Sequence, residues 1–139
     1  MDYLPFARPT IDEQTIATVA DVLRSGWITT GPKVQEFERA LSQYLGGRTV
    51  RTFTSATGAL EVALLACGIG PGDEVIVPAM SFAASANVVL RVGARPVFVD
   101  VELATRNIEV RLIEAAITPR TRAIMPVHFA GLAADMERI

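Results

Sequence analysis

The sequence predicts an α/β fold, with a mainly parallel β-sheet flanked by helices. Two apolar runs, 75–77 and 97–99, are unbroken rather than alternating in polarity, as expected of parallel strands buried on both faces. Segments with helical periodicity separate these runs from other strand-like segments, and strands joined through helices imply right-handed βαβ crossovers. Because 50% of the 139 residues are apolar, the chain can bury a sizeable core.

The first 47 residues predict a helical leader ahead of an α/β domain over residues 48–139. Thr10–Glu13 fits a capping box, after which apolar residues recur at helical spacing. A second amphipathic helix follows the Gly31-Pro32 turn and ends at Gly46-Gly47, since glycine favours the backbone conformation that terminates helices. The leader is therefore expected to be two helices joined by a loop.

From residue 48 onward, strand and helix patterns alternate along the chain. We expect strands at about 49–54, 74–78, 96–100 and 122–127, and helices at about 57–67, 81–91 and 108–117. Ala134–Ile139 has the pattern of a further helix that has no room to finish. We therefore expect the chain to be a fragment of a longer protein.

The tetrapeptide Ser55-Ala56-Thr57-Gly58 lies between a β-branched run and an apolar helical run, which predicts a strand, a tight polar turn and a helix start. Backbone N–H groups in a first helical turn favour an anion, and the hydroxyls of Ser55 and Thr57 add donors. Small residues let a ligand approach the backbone closely. Residues 55–58, called the phosphate turn below, thus form a candidate phosphate site, although similar residues also cap helices that bind nothing.

Composition and charge exclude several classes of protein. A net charge of −2, with the arginines spread along the chain, provides no basic stripe and argues against nucleic acid as a partner. Cys67 is the single cysteine, so no internal disulfide is possible, and we expect it to be buried on the helix after the phosphate turn. There is only one histidine, and no second histidine, cysteine or paired carboxylate lies at metal-ligand spacing, so we expect no metal site.

Two segments bear on the cellular compartment. Met1–Phe6 lacks the basic and apolar regions of a signal peptide, so we expect a cytoplasmic protein. The longest uncharged stretch, Val75–Leu90, is too short and too polar for a membrane span. The sequence therefore favours a protein without a membrane segment.

Several ordered motifs extend along nearly the whole chain, at residues 25–32, 55–58, 68–87, 93–101 and 116–128. In this order and at these separations, they resemble the DegT/DnrJ/EryC1/StrS family of pyridoxal 5′-phosphate (PLP) sugar aminotransferases. The chain is most similar to the branch that acts on a UDP-4-keto-pentose in lipid A modification. The resemblance implies the N-terminal part of the large domain of a fold-type-I PLP-dependent aminotransferase.

The resemblance also implies roles for the phosphate turn and one aromatic residue. Ala56 and Thr57 fall where the family binds the cofactor phosphate through backbone N–H and hydroxyl groups, and Ser55 and Gly58 shape the turn. Phe82 falls where the family places an aromatic ring against the cofactor, and a flat π face would orient the ring and exclude water. Without the resemblance, Phe82 would equally be an ordinary core residue at a helix start.

Other residues are implied on the substrate side. Trp27, Thr29 and Thr30 lie in a loop that, in the family, helps to form the sugar-nucleotide side of the site, often near a subunit interface. The alternative is a tryptophan packed between the two leading helices, with threonines that cap a turn. His128, which ends a strand at the presumed active-site edge, is a candidate substrate contact, but a lone histidine is more often hydrogen-bonded structure.

Two groups that PLP chemistry requires are expected outside this chain. By resemblance, the Schiff-base lysine and the aspartate at the pyridine nitrogen fall beyond Ile139, so no catalytic residue is expected here. Lys33 is the only lysine and is expected to be a solvated surface residue. Asp100, at the end of a strand, is expected to be structural.

The function implied is transfer of an amino group from glutamate to a keto-sugar nucleotide, with 2-oxoglutarate as the other product, in cell-envelope polysaccharide or lipid A sugar biosynthesis. Family members build their sites at a dimer interface, so a homodimer is expected, and this chain alone is expected to be inactive. One alternative is a non-catalytic remnant or phosphate-binding partner module. Another is a PLP-dependent sugar dehydratase of the same fold, in which histidine replaces the lysine.

Overall fold

The computed structural model describes residues 4–5 and 7–139. Met1–Tyr3 and Phe6, on which the expectation of no signal peptide partly rests, lie outside the described residues. The chain consists of two compact units, one that extends up to Thr52 and one that comprises Phe53–Ile139. The division into domains after residue 47 remains a prediction.

The first unit contains helices α1 (Glu13–Arg24) and α2 (Pro32–Tyr44). Asp12 is the N-cap of α1, and its carboxylate accepts a 2.7 Å hydrogen bond from the Thr15 N–H. The predicted capping box at Thr10 is therefore wrong, because a side chain two residues later satisfies the first turn. Gly46 and Gly47 both have positive φ after α2, which confirms the predicted helix end.

The second unit is an α/β layer structure. Its elements are α3 (Ala56–Ala66), β1 (Glu74–Pro78), α4 (Ala84–Arg91), β2 (Arg95–Val99), α5 (Val110–Ala116) and β3 (Thr121–Ile124). The strand order is β2-β1-β3, and both pairings are parallel. The predicted parallel sheet with flanking helices is confirmed.

Strand β1 is buried along its whole length and supplies both faces of the core. Val75 and Val77 pack with Leu64 of α3 and Val88 of α4, whereas Ile76 packs with residues on and around α5. The β1–β2 and β2–β3 connections run in opposite directions across the sheet, and their helices cover opposite faces, as right-handed crossovers require. The carboxyl ends of the three strands therefore lie along one edge of the sheet, called the carboxyl edge below.

Two predicted elements differ from the structure. Residues 49–54 pair with no strand in the described part of the chain, and the Thr52 N–H donates instead to Oε1 of Glu38 at 2.9 Å. Ala134–Ile139 forms a turn rather than a helix, with the Ile139 N–H donating to the Asp135 carbonyl at 3.2 Å. Cys67 is also not buried, because it is the C-cap of α3 and faces solvent.

Glu74, at the amino end of β1, is 1% exposed and joins the amino ends of all three strands. The Thr118 hydroxyl donates to its Oε2 at 2.6 Å, and Nη2 of Arg120 lies 2.8 Å from Oε1. Nε of Arg95 lies 3.7 Å from the same oxygen. The Thr118 hydrogen bond is the main cause that holds the pKa of Glu74 below its usual value; the two arginines act in the same direction and burial opposes them.

Candidate active site

The phosphate turn forms the first turn of α3. Ser55 is the N-cap, and its Oγ accepts the Gly58 N–H at 3.1 Å, while its carbonyl accepts the Ala59 N–H at the same distance. Within the described residues, the N–H groups of Ala56 and Thr57 and the Thr57 hydroxyl donate to no protein acceptor. Two adjacent backbone donors and one hydroxyl therefore remain for a ligand at the start of a helix.

Topology places this turn on the carboxyl side of the sheet. Helix α3 ends at Ala66, and only residues 67–73 connect it to the start of β1, so the two elements run antiparallel. Leu60 and Leu64 pack α3 onto the core. The beginning of α3 is consequently directed toward the carboxyl edge, where ligands of open α/β sheets bind.

Phe82 lies four residues beyond the end of β1, at the same edge. Phe82 is 81% exposed, so it is not the core residue considered as the alternative. The segment around it is ordered: the Ala79 N–H donates to the Val99 carbonyl at 2.8 Å, and the hydroxyls of Ser81 and Ser85 share a 2.6 Å hydrogen bond. An exposed aromatic ring is thus presented from a fixed turn, with a face available for a planar ligand.

His128 follows β3 and begins the loop 128–134, which contains a 3₁₀ turn at Phe129–Gly131. His128 is exposed, and its Nδ1 accepts the Ala134 N–H at 2.9 Å. The hydrogen-bonded role considered for this residue is therefore present, and it leaves Nε2 unused by the protein within the described residues. His128 closes its own loop and still presents a ring nitrogen at the carboxyl edge.

Asn107 was not anticipated from the sequence. The residue is 6% exposed, and its side chain donates to the carbonyls of Leu132 and Ala133 at 3.1 Å each and accepts the Phe129 N–H at 2.9 Å. A polar residue just before the apolar Ile108 is the only local signal, and the partners are 22 to 26 residues away in sequence. Asn107 fixes the loop that carries His128.

Asp100 makes a local structural contact, as expected of it, and Lys33 lies on the surface, as expected. Oδ1 of Asp100 accepts the N–H of Val101 at 2.7 Å, and the side chain is exposed. Nζ of Lys33 lies 2.8 Å from Oε2 of Glu36 on the surface of α2. Neither residue has the desolvated surroundings that activate a catalytic amine or carboxylate.

In the first unit, Trp27 belongs to the loop between α1 and α2. Its Nε1–H donates to the Thr30 carbonyl at 3.0 Å, and a Cβ at Gly31 would lie 2.7 Å from the indole Cδ1. A cavity of about 480 Å³ lies beside this loop and is lined by Trp27 and Thr29, with parts of α1 and α2. Thr30 contributes its carbonyl to the indole rather than a side chain to the cavity.

The site residues are distributed over both units. The phosphate turn, Phe82 and His128 belong to the second unit, at or directed toward one sheet edge, whereas Trp27, Thr29 and Thr30 belong to the first. Within the described part of the chain, there is no group of three or more His, Cys, Asp or Glu side chains able to hold a metal ion. Among the described helices, none is both long enough and apolar enough to cross a membrane.

Comparison with known proteins decides the family. Residues 9–139 match the DegT/DnrJ/EryC1/StrS aminotransferase family. The chain belongs to this family. The resemblance found in its sequence motifs is thereby confirmed, and the parallel sheet flanked by helices is the corresponding part of the aminotransferase fold.

Individual relatives are similar over almost all of this chain. It is 49% identical over 138 residues to UDP-4-amino-4-deoxy-L-arabinose–oxoglutarate aminotransferase of Shewanella sediminis strain HAW-EB3, covering 99% of this chain and 36% of the relative. The PLP form of Spr1654 of Streptococcus pneumoniae matches with a TM-score of 0.92 and 50% identity, over 97% of this chain and 34% of that one. 3-Amino-5-hydroxybenzoic acid synthase matches with a TM-score of 0.88 and 43% identity, over 95% and 35%. The chain thus spans about a third of the length of these relatives.

Proposed function

We propose that this chain provides the phosphate-binding and ring-covering part of a PLP-dependent aminotransferase that moves an amino group from glutamate to a keto-sugar nucleotide. The observation that carries the proposal is the start of α3, where the N–H groups of Ala56 and Thr57 and the Thr57 hydroxyl have no protein acceptor among residues 4–5 and 7–139. Family membership supports the reaction class.

The donor set fits the cofactor. A phosphate dianion is stabilised by converging N–H donors and by the positive end of a helix dipole, and α3 supplies both over 11 residues. Phe82 supplies an exposed aromatic face at the same edge. When bound, PLP supplies the electron sink that amino-group transfer requires.

The proposed site residues of this chain then have separate tasks. The phosphate turn binds and orients the phosphate, and Phe82 covers one ring face and excludes water from it. Lys33 contributes no amine, because it is paired with Glu36 on the surface. The Schiff-base lysine and the pyridine-nitrogen aspartate expected beyond Ile139 remain predictions.

The substrate is proposed from two lines of support. One is the relative that is 49% identical, whose name specifies an aminated UDP-pentose and oxoglutarate. The other is the cavity beside Trp27 and Thr29, where an indole and a hydroxyl suit a sugar or a base by stacking and hydrogen bonding. A role in cell-envelope polysaccharide or lipid A sugar synthesis, a homodimer and a cytoplasmic location belong to the same proposal.

Titration of the purified chain with pyridoxamine 5′-phosphate tests the cofactor site, because this form lacks the aldehyde and cannot react with surface amines. Pyridoxamine and inorganic phosphate are the matched ligands. We expect the phosphorylated ring to bind at least about tenfold more tightly than either, since phosphate and ring contribute separately. Equal affinity for pyridoxamine and its phosphate would show that the phosphate turn does not bind the phosphate group. Equal affinity for inorganic phosphate and the phosphorylated ring would favour a phosphate-binding module.

A further inference from the structure

The loop 128–134 after β3 is fixed by two side chains. Asn107 reaches it from between β2 and α5 and makes three hydrogen bonds to its backbone, and His128 closes it through Ala134. The loop contains Ala130 with φ +50°, a left-handed conformation that a non-glycine residue rarely adopts. Because such a backbone is strained, interactions from outside the loop are needed to hold it.

Only one orientation of the Asn107 amide is compatible with its partners. The Phe129 N–H can only donate, so the atom facing it must be the amide oxygen; the two loop carbonyls can only accept, so they face the NH₂ group. All the polar atoms of this buried side chain are therefore hydrogen-bonded. Replacing it leaves loop backbone groups without partners.

The same reasoning determines which nitrogen of His128 carries the proton. The Ala134 N–H can only donate, so Nδ1 must be an unprotonated acceptor. A neutral imidazole with an unprotonated Nδ1 carries its hydrogen on Nε2. Since His128 is exposed and Nε2 has no protein partner within the described residues, this N–H remains available to donate to a ligand.

We propose that Asn107 is a positioning residue: it holds the loop 128–134 so that His128 is kept as the Nε2–H tautomer and presents one N–H donor at the carboxyl edge, to an oxygen acceptor of a bound substrate. This rests on the proposed function for the location of the ligand. The tautomer and its dependence on Asn107 are properties of the ligand-free chain. The two proposals can therefore fail independently.

Long-range ¹H–¹⁵N NMR of the labelled chain, at a pH where the imidazole is neutral, reads the tautomer directly. We expect the Nε2–H form in the wild type and a mixture of both tautomers in Asn107→Ala. Asn107→Asp keeps the acceptor for Phe129 and loses both donors, and the same shift toward a mixture is expected. Asn87→Ala, at an exposed asparagine of α4, is the matched control. We expect it to leave the imidazole signals of His128 unchanged.

Two results overturn the proposal: a wild-type His128 that is Nδ1–H or an equal mixture, and an unchanged tautomer in a folded Asn107 variant. Failure of the pyridoxamine phosphate titration with the expected tautomer would reject the proposed function alone. Dispersion of the amide spectrum establishes that each variant is folded. The wild-type measurement decides the tautomer even where the Asn107 variants do not fold.

A second measurement addresses the His128–Ala134 bond with a matched pair of variants. His128→Asn can place an oxygen near the position of Nδ1 but has no group at Nε2, whereas His128→Phe has neither. We expect amide exchange of Ala134 to accelerate by about tenfold or more in His128→Phe and to stay within about threefold of wild type in His128→Asn. Unchanged exchange in His128→Phe would show that the imidazole does not close the loop.

Discussion

The Thr118 hydroxyl donates a 2.6 Å hydrogen bond to Oε2 of Glu74, a carboxylate that is 1% exposed at the amino end of the sheet. This contact joins the segment before β3 to the central strand. With Arg120 and Arg95 on the other oxygen, it keeps a buried charge compensated where three strands begin.

The first prediction concerns acid stability. The pKa of Glu74 is lowered from 4.5 in the folded chain, chiefly by the Thr118 hydrogen bond, so its contribution is present above the unfolded pKa and is lost as the pH falls through the folded value. Urea midpoints measured from about pH 7 down to about pH 3 should fall below about pH 4.5. Glu74→Gln should be less stable at neutral pH and show a shallower fall. The exposed Glu137→Gln is the control, and identical profiles for the wild type and Glu74→Gln would contradict the assignment.

The second prediction concerns the phosphate turn. Thr57→Val removes the hydroxyl with little change of shape, and a hydrogen bond to a charged group contributes about 1.5–3 kcal/mol. Affinity for pyridoxamine 5′-phosphate should therefore fall by about ten- to a hundredfold. Thr54→Val, an exposed threonine just before the turn, is the matched control and should bind as the wild type does. Equal losses in both variants would show that the effect is not specific to the turn.

The third prediction separates ring contacts from phosphate contacts. Phe82→Leu removes the aromatic face, which contributes about 0.5–1.5 kcal/mol beyond burial, so affinity for pyridoxamine 5′-phosphate should fall by about two- to tenfold. Affinity for inorganic phosphate should not change. Because Phe82 is exposed, the urea midpoint should also be unchanged. Phe98→Leu, at another exposed phenylalanine, is the control; a loss there as large as at Phe82 would argue against stacking.

The fourth prediction concerns the only lysine. Lys33 is exposed and paired with Glu36, so it has no feature that would favour a specific covalent bond to PLP. Borohydride reduction of a mixture with PLP, followed by peptide mass spectrometry, should give only weak, substoichiometric labelling of Lys33. No turnover is expected with glutamate and a keto-sugar nucleotide. Stoichiometric labelling of Lys33 together with turnover would show that the lysine has been assigned the wrong role.

The fifth prediction concerns self-association. Ile16, Val19 and Leu23 recur along one side of α1 and are all about half or more exposed. An apolar stripe of this kind favours association, so light scattering at about tens of micromolar should give a mass above 14.9 kDa. Val19→Asp should shift the mass toward the monomer, while Thr18→Asp, one residue away, should do so less. A monomeric wild type would contradict the prediction.

Much of the fold could be predicted because periodicity and burial coincide. The β1 run is apolar at every position because both of its faces are covered, and α3 begins at the serine that caps it. The β-branched composition of residues 49–54 predicts a strand that the structure does not contain. Composition expresses a preference for extended backbone, whereas a strand also requires a paired neighbour, and here Glu38 takes the Thr52 N–H instead.

The sequence predicts only part of the candidate site, for a similar reason. A phosphate turn is local, so the donors of Ala56 and Thr57 could be inferred from four adjacent residues. The hydrogen bonds of Asn107 connect segments more than 20 residues apart in sequence, and no periodic pattern in the sequence predicts them. Cys67 shows the same limit for burial, because residue type favoured the interior while its position at a helix end exposes it.

The close approach of Trp27 to Gly31 gives the chain a built-in optical reporter. Trp27 is the only tryptophan, so its fluorescence originates from the loop between α1 and α2 alone. Its indole rests where a single added methyl group at residue 31 would collide with it, and its N–H is held by the Thr30 carbonyl. Emission wavelength and quenching therefore follow the state of this loop and of the cavity beside it, without any label.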